Sequence, residues 1–119
     1  MNKKILVIDD EPMIVELVKN RLEHEDYSVS TASDGLIGLE ILRTQKPDLI
    51  VLDILMPNMD GYNFIQEVNK DPGINHIPIL VLTANAHLKE LFAMEGVDNY
   101  MVKPFDKEEF LDKIRELTN

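Results

Sequence analysis

The sequence predicts an α/β fold: a doubly wound parallel sheet of five strands, with five helices covering both faces. Three observations predict it. Short apolar runs with β-branched members, at Ile5 to Ile8, Leu49 to Leu52 and Ile79 to Leu82, have the look of strands buried on both faces. Strand and helix patterns alternate five times along the chain, as crossover connections between parallel strands require. Polar or charged residues stand where the strand runs end, at the sheet edge where such folds place their ligands.

The elements justify themselves in order. Ile5 to Ile8 ends in Asp9-Asp10, and Glu11-Pro12 then opens a helix, proline suiting the first turn and acids favoured by the helix dipole. That helix runs to about Glu23. Its apolar residues, Met13, Ile14, Val15, Leu17, Val18 and Leu22, make a stripe wider than one core face needs, so some are expected at the surface. Tyr27 to Ala32 alternates as a strand. Ser33-Asp34-Gly35 starts a second helix carrying Leu36, Ile37, Leu39, Ile41 and Leu42, which ends near Pro47. The central strand, Leu49 to Leu52, leads to Asp53. Asp60-Gly61 opens a third helix with Tyr62, Phe64, Ile65 and Val68, broken by Asp71-Pro72-Gly73. Ile79 to Leu82 ends at Thr83. Ala86 to Glu95 has Leu88, Leu91, Phe92 and Met94 at helical spacing and stops at Gly96. Asn99 to Val102 is a short last strand before Lys103-Pro104. Asp106 and Glu109 form a capping pattern for the final helix, whose core face is read as Phe110, Ile114 and Leu117.

Length and composition narrow the function. The 119 residues suit one domain, 1–119, with a real core. A formal charge of -10 repels phosphate backbones, which argues against direct nucleic-acid binding. The absence of cysteine excludes disulfide and thiol chemistry. His24, His76 and His87 lack metal-ligand spacing and read as surface residues. The basic start, Met1-Asn2-Lys3-Lys4, is followed by an apolar run too short for a signal peptide or a membrane span, so no membrane is expected and the cytoplasm is the expected compartment.

The strand ends carry Asp9-Asp10, Asp53, Thr83 and Lys103. A lone aspartate after a strand would be read as a cap. Four strand ends converging on one edge point to a site. Crowded carboxylates repel unless a cation intervenes, and a hard divalent ion such as magnesium binds through one or two carboxylates plus phosphate oxygens. Carboxylates are also nucleophiles that form aspartyl-phosphates. A lysine offers a point charge to phosphate, and a threonine hydroxyl can donate to a phosphoryl oxygen. The set matches phosphoryl transfer, in which positioning and charge neutralisation do most of the catalysis.

From end to end the chain resembles a response-regulator receiver domain of two-component signalling, of the chemotaxis-regulator-like kind. The resemblance rests on Asp9-Asp10, on Asp53 to Gly61 with its Met56-Pro57 and Met59-Asp60-Gly61, on Thr83-Ala84, and on Lys103-Pro104-Phe105. It implies a flavodoxin-like strand order of 2-1-3-4-5. It makes Asp53 the phosphoacceptor and site of phosphorylation, and Asp9, Asp10, Asp53 and the carbonyl of Leu55 the holders of Mg2+, with Mn2+ as a substitute. Thr83 and Lys103 receive the phosphoryl group, and Thr83 with Tyr100 forms the switch. The implied partners are a sensor histidine kinase or histidine phosphotransfer protein and an output protein or linked output domain. The chain would then be no enzyme on a separate substrate, but a phosphoacceptor that catalyses its own phosphorylation and slow dephosphorylation. The resemblance also implies a cis bond between Lys103 and Pro104. Surplus apolar residues of the first helix, Ile14 and Leu17, should lie near Pro57, Pro104 and Phe105 as a rim for a docking helix.

The chain departs from the family pattern in places. Thr83 to Lys103 is shorter than usual by about two residues, roughly half a helical turn, before or within the fourth helix. Asp98, Glu109, Lys113 and Arg115 match positions used for dimerisation in DNA-binding relatives, while Asn99 replaces a usual aspartate; a phosphorylation-dependent homodimer stays open. The resemblance also implies that the side chains two residues after Asp53 and Thr83, here Leu55 and Asn85, flank the path of the hydrolytic water. Leu55 cannot hydrogen-bond through its side chain and Asn85 offers only an amide, which predicts a long-lived phosphoryl state.

Three other readings compete. A flavodoxin-type nucleotide or flavin binder needs a phosphate-cradling loop after the first strand, and Asp-Asp-Glu-Pro there would repel phosphate. A haloacid-dehalogenase-like phosphatase wants a second aspartate two residues after the first, where this chain has Leu55. A degenerate receiver acting only as an adaptor would have lost Asp53 or Lys103.

Overall fold

The computed structural model describes residues 2–53, 61–84, 89–97 and 99–119. Five strands, β1 (Lys4–Ile8), β2 (Ser28–Ala32), β3 (Leu49–Asp53), β4 (Ile79–Thr83) and β5 (Asn99–Val102), alternate with α1 (Pro12–His24), α2 (Gly35–Gln45), α3 (Gly61–Asn69), α4 (Lys89–Met94) and α5 (Lys107–Thr118). All strand pairs are parallel and their order is β2-β1-β3-β4-β5. The expected fold class and strand order are therefore observed.

The strand order explains the burial. β1, β3 and β4 are flanked on both sides and are almost entirely buried, whereas β2 and β5 form the sheet edges and are only partly covered. Alternate residues of each central strand point to opposite faces. Leu6, Ile8, Ile50, Leu52, Ile79 and Val81 pack with Leu39 and Leu42 of α2, Phe64, Ile65 and Val68 of α3, and Phe92 of α4. Ile5, Val7, Leu49, Val51, Leu80 and Leu82 pack with Val18 and Leu22 of α1 and with Phe110, Leu111 and Ile114 of α5. Two helix layers of unequal size thus cover the sheet: α2, α3 and α4 on one face, α1 and α5 on the other. Gly38 lets α2 approach β1, since a Cβ there would stand 2.6 Å from Ile8 Cδ1.

Local signals account for most boundaries. Pro12 occupies the first turn of α1 after the extended Glu11, whose side chain makes no capping bond. Asp34 caps α2 by accepting from the Ile37 N–H, and Asp106 caps α5 by accepting from the Glu109 N–H. Three details differ from the sequence expectation. β2 begins at Ser28: the Tyr27 N–H donates to the Leu22 carbonyl at the end of α1, and the Tyr27 hydroxyl meets Thr118 Oγ1 at 3.1 Å. The core face of α5 includes Leu111 and Thr118, while Leu117 is only partly buried. Met94, although at helical spacing with Phe92, is 83% exposed, because the six-residue α4 turns a single narrow face inward. Among the described residues no helix is long and apolar enough to cross a membrane. His24 and His76 are exposed as expected, and His87 lies outside the described residues.

Candidate functional site

The parallel sheet brings the carboxyl ends of β1, β3, β4 and β5 to one edge. Register does the positioning: Ile8 pairs with Leu52, Asp53 with Leu82, and Thr83 with Val102. Asp9 and Asp10 follow β1, Asp53 ends β3, Thr83 ends β4 and Lys103 follows β5. One oxygen from each of Asp9, Asp10 and Asp53 lies within 4.8 Å of the others. Lys103 Nζ stands 3.9 Å from Asp9 Oδ2 and 3.9 Å from Asp53 Oδ1. The Lys103 N–H donates to the Thr83 carbonyl at 2.7 Å, which ties the β5 end to the β4 end.

The burial of these groups is graded. Asp9 is 4% exposed, Asp53 is half-buried, Asp10 is exposed and Thr83 is buried. Asp9 Oδ1 accepts from the Glu11 N–H at 3.0 Å, which orients the carboxylate, and the Asp9 N–H donates to the Ala32 carbonyl at 3.1 Å, which fixes its backbone to the end of β2. Burial nonetheless pushes the Asp9 carboxyl above its ordinary value, and the Asp53 charge pushes the same way; the Glu11 N–H and Lys103 oppose them. Lys103 is too far from either carboxylate for a hydrogen bond and answers two of three negative charges from a distance. An all-oxygen set of crowded carboxylates, one exposed and two more sheltered, suits a hard divalent cation that keeps some of its water.

Tyr100 is half-buried on β5 and packs against the cluster that contains Phe92 and Val97; its partial burial raises the phenol pKa. The Lys103–Pro104 peptide bond is cis, as expected. Ile14 is half-buried and Leu17 is 47% exposed; with Val18, Leu82, Pro104 and Phe105 they line an open groove of about 280 Å3 that includes Lys103. The expected apolar rim therefore exists at Ile14, Leu17, Pro104 and Phe105. Leu55, Met56, Pro57, Met59, Asp60, Asn85 and Asp98 lie outside the described residues, and with them the expected backbone ligand and the flanks of the water path.

Two features escaped sequence reasoning. The N–H of Glu11 orients Asp9, for which an acid three residues before a helix-opening proline is the available signal. Glu95 gathers three donors from α3, and no sequence pattern announces that, because its partners lie 26 to 33 positions away.

Comparison with known proteins agrees with this geometry. The family model described as "Response regulator receiver domain" matches residues 5–115. The alkaline phosphatase synthesis transcriptional regulatory protein PhoP of Bacillus subtilis is 42% identical over 119 residues, covering 98% of this chain and 49% of its own length. The chain spans about half the length of the curated relatives it matches. Among solved structures, response regulator protein TrrA of Thermotoga maritima, in complex with Mg2+ and BeF, is 36% identical with a TM-score of 0.87, covering 97% of this chain and 98% of that one. The receiver domain of a sensor histidine kinase from Pseudomonas aeruginosa, with a magnesium ion coordinated in its active-site cleft, is 26% identical with a TM-score of 0.90, covering 99% and 98%.

Proposed function

The chain belongs to the response regulator receiver domain family, and from that premise we propose that it is the phosphoacceptor of a two-component phosphorelay, taking its phosphoryl group onto Asp53. The observation that carries the reading is the meeting of three carboxylates within 4.8 Å and of Lys103 at 3.9 Å from two of them. The donor is the phosphohistidine of a sensor histidine kinase or of a histidine phosphotransfer protein. An Asp53 oxygen forms the bond to phosphorus as the bond to the imidazole nitrogen breaks, and the imidazole is released neutral after taking a proton from water.

Asp9, Asp10 and Asp53, with the Leu55 carbonyl, would hold Mg2+, or Mn2+ in its place. The bound ion supplies neutralisation of the carboxylates and of the incoming phosphoryl oxygens. The chain's own residues do the rest. The Glu11 N–H fixes Asp9, leaving its other oxygen for the ion. Lys103 is close enough to follow a phosphoryl oxygen once Asp53 carries the group, and Thr83 donates its hydroxyl to another. Thr83 and Tyr100 then relay the change to the α4–β5–α5 face, where an output protein, a linked output domain or a second phosphorylated copy binds. The groove of Ile14, Leu17, Pro104 and Phe105 opens beside Lys103 and suits the apolar side of a phosphodonor helix. These steps belong in the cytoplasm.

Incubation with acetyl phosphate and magnesium, followed by intact mass, tests the reading. The expected result is one phosphoryl group, dependent on the divalent ion. An unchanged mass would refute it. The phosphoryl state should also be long-lived: Leu55→Asn should speed its loss about tenfold, the worth of one added transition-state hydrogen bond. Equal rates of phosphate release from the two purified phosphoproteins would remove the argument that the Leu55 side chain excludes water.

A further inference from the structure

On α3, Tyr62, Gln66 and Asn69 follow one another at helical spacing on a single face. All three reach one residue beyond the end of α4. The Tyr62 hydroxyl donates to Glu95 Oε1 at 2.9 Å, Gln66 Nε2 donates to the same oxygen at 3.2 Å, and Asn69 Nδ2 donates to the Glu95 carbonyl at 2.8 Å. The helix closes around Glu95 in a Schellman turn: the Val97 N–H donates to the Phe92 carbonyl and the Gly96 N–H to the Ala93 carbonyl, both at 3.0 Å, with Gly96 at φ +82°. The Glu95 carbonyl is among those a helix end leaves without an intrahelical donor, and Asn69 supplies one.

The place of this clasp in the chain gives it a consequence. The backbone leaves the site at Thr83, runs out through α4, and returns along β5 to Lys103. Both ends of that excursion are site residues, joined by the Lys103 N–H on the Thr83 carbonyl. Glu95 lies beyond its midpoint. Apolar contacts also attach the excursion to the α3 side: Phe92 and Val97 are buried, the Phe92 ring meets Tyr62 edge-on at 6.2 Å, and Tyr100 packs on the same cluster. Apolar contacts are non-directional and tolerate sliding, whereas hydrogen bonds to a carboxylate are directional and stronger than neutral ones. The clasp therefore sets where α4 ends relative to α3. The Tyr62 phenol, pushed up by its bond to Glu95, stays a donor.

We propose that the Glu95 clasp is a latch that holds the Thr83-to-Lys103 excursion in its resting position, and that filling the strand-end site with a phosphoryl group is coupled to its release. This rests on the phosphoacceptor reading above. Coupling is reciprocal, so a weaker latch must make a phosphoryl-like ligand bind more tightly.

The test uses beryllofluoride with magnesium, titrated calorimetrically into the wild-type chain and into Tyr62→Phe, which keeps the ring and removes the hydroxyl. Asn69→Ala attacks the same latch through the Glu95 carbonyl. Each variant should bind beryllofluoride about three- to tenfold more tightly, the worth of one hydrogen bond that holds the resting state. In the wild type, beryllofluoride should speed hydrogen exchange at Gly96 and Val97. Unchanged or weaker binding by both variants, or exchange at Gly96 and Val97 that ignores the ligand, would overturn the latch alone. A wild-type chain that binds no beryllofluoride would overturn the phosphoacceptor reading and the latch with it.

Discussion

Two charged regions of this molecule are built on opposite plans. At the strand ends, Asp9, Asp10 and Asp53 gather within 4.8 Å, and Lys103 stays 3.9 Å from two of them. At the far end of α5, Arg115 donates to Glu25 at 2.7 Å and to Asp112 at 2.8 Å, with half its side chain in solvent. In the second region the guanidinium bonds directly to both of its carboxylates, in contact with solvent. The first has an excess of like charge, part of it buried, and its one ammonium is shared at a distance. Burial of unmatched charge opposes folding, so the strand-end arrangement works against stability unless a further cation joins it. Surface pairs like those of Arg115 contribute little in either direction. The contrast separates a site from a structural tie by energetics alone.

The sharpest way to break the comparison is at Asp53. Asp53→Asn should abolish phosphoryl incorporation from acetyl phosphate altogether, while Arg115→Ala should leave it intact. Labelling that survives Asp53→Asn would mean the crowded carboxylates serve another purpose.

Magnesium comes next in size. An ion that binds the folded state alone stabilises it by about 2.7 kcal/mol at a hundredfold excess over its Kd. Thermal melts in millimolar magnesium and in chelator should differ accordingly, and the difference should vanish in Asp53→Asn combined with Asp10→Asn. A melting temperature indifferent to magnesium would erase the distinction between the two regions.

A smaller effect concerns Asp9 without metal. Its carboxyl titrates above the ordinary value of 3.8 in the folded chain, chiefly because it is buried. Between 3.8 and that raised value, the folded state keeps a proton that the unfolded state has lost. Stability of the metal-free chain therefore falls as pH rises through this window and stays lower above it. Asp9→Asn should remove that loss and stabilise the metal-free chain at neutral pH by about 1 kcal/mol, with magnesium binding weakened. Denaturant midpoints across the acid range, wild type against variant, would show it; parallel curves would refute it.

The least effect is expected at the exposed Arg115 region. Arg115→Ala should shift the melting temperature by no more than about 2 °C, and the shift should shrink in high salt. A drop comparable to the magnesium effect would show that the α5 corner carries more of the fold than its exposure suggests.

Much of this molecule is written locally. Apolar runs such as Leu49 to Leu52 and Ile79 to Leu82 need no partner to identify them as buried parallel strands, because only that setting covers both faces of such a run. Asp34 and Asp106 mark helix starts through bonds that span three residues. The polar strand ends Asp9, Asp53, Thr83 and Lys103 are legible for the same reason: parallel connection fixes which edge they share. What lies beyond local reach is set by packing. That Met94 faces solvent while Phe92 is buried depends on how a six-residue helix sits on α3. The difference in environment between Asp9 and its exposed neighbour Asp10 depends on which of two adjacent residues turns inward after β1. The Glu95 clasp joins residues 26 to 33 positions apart. The class of fold and the chemistry gathered at its edge are thus legible residue by residue, since both follow from periodicities and residue types within one element. The depth of each charge and the long-range partners of the polar groups emerge on packing, because they depend on distances between elements that no single element contains.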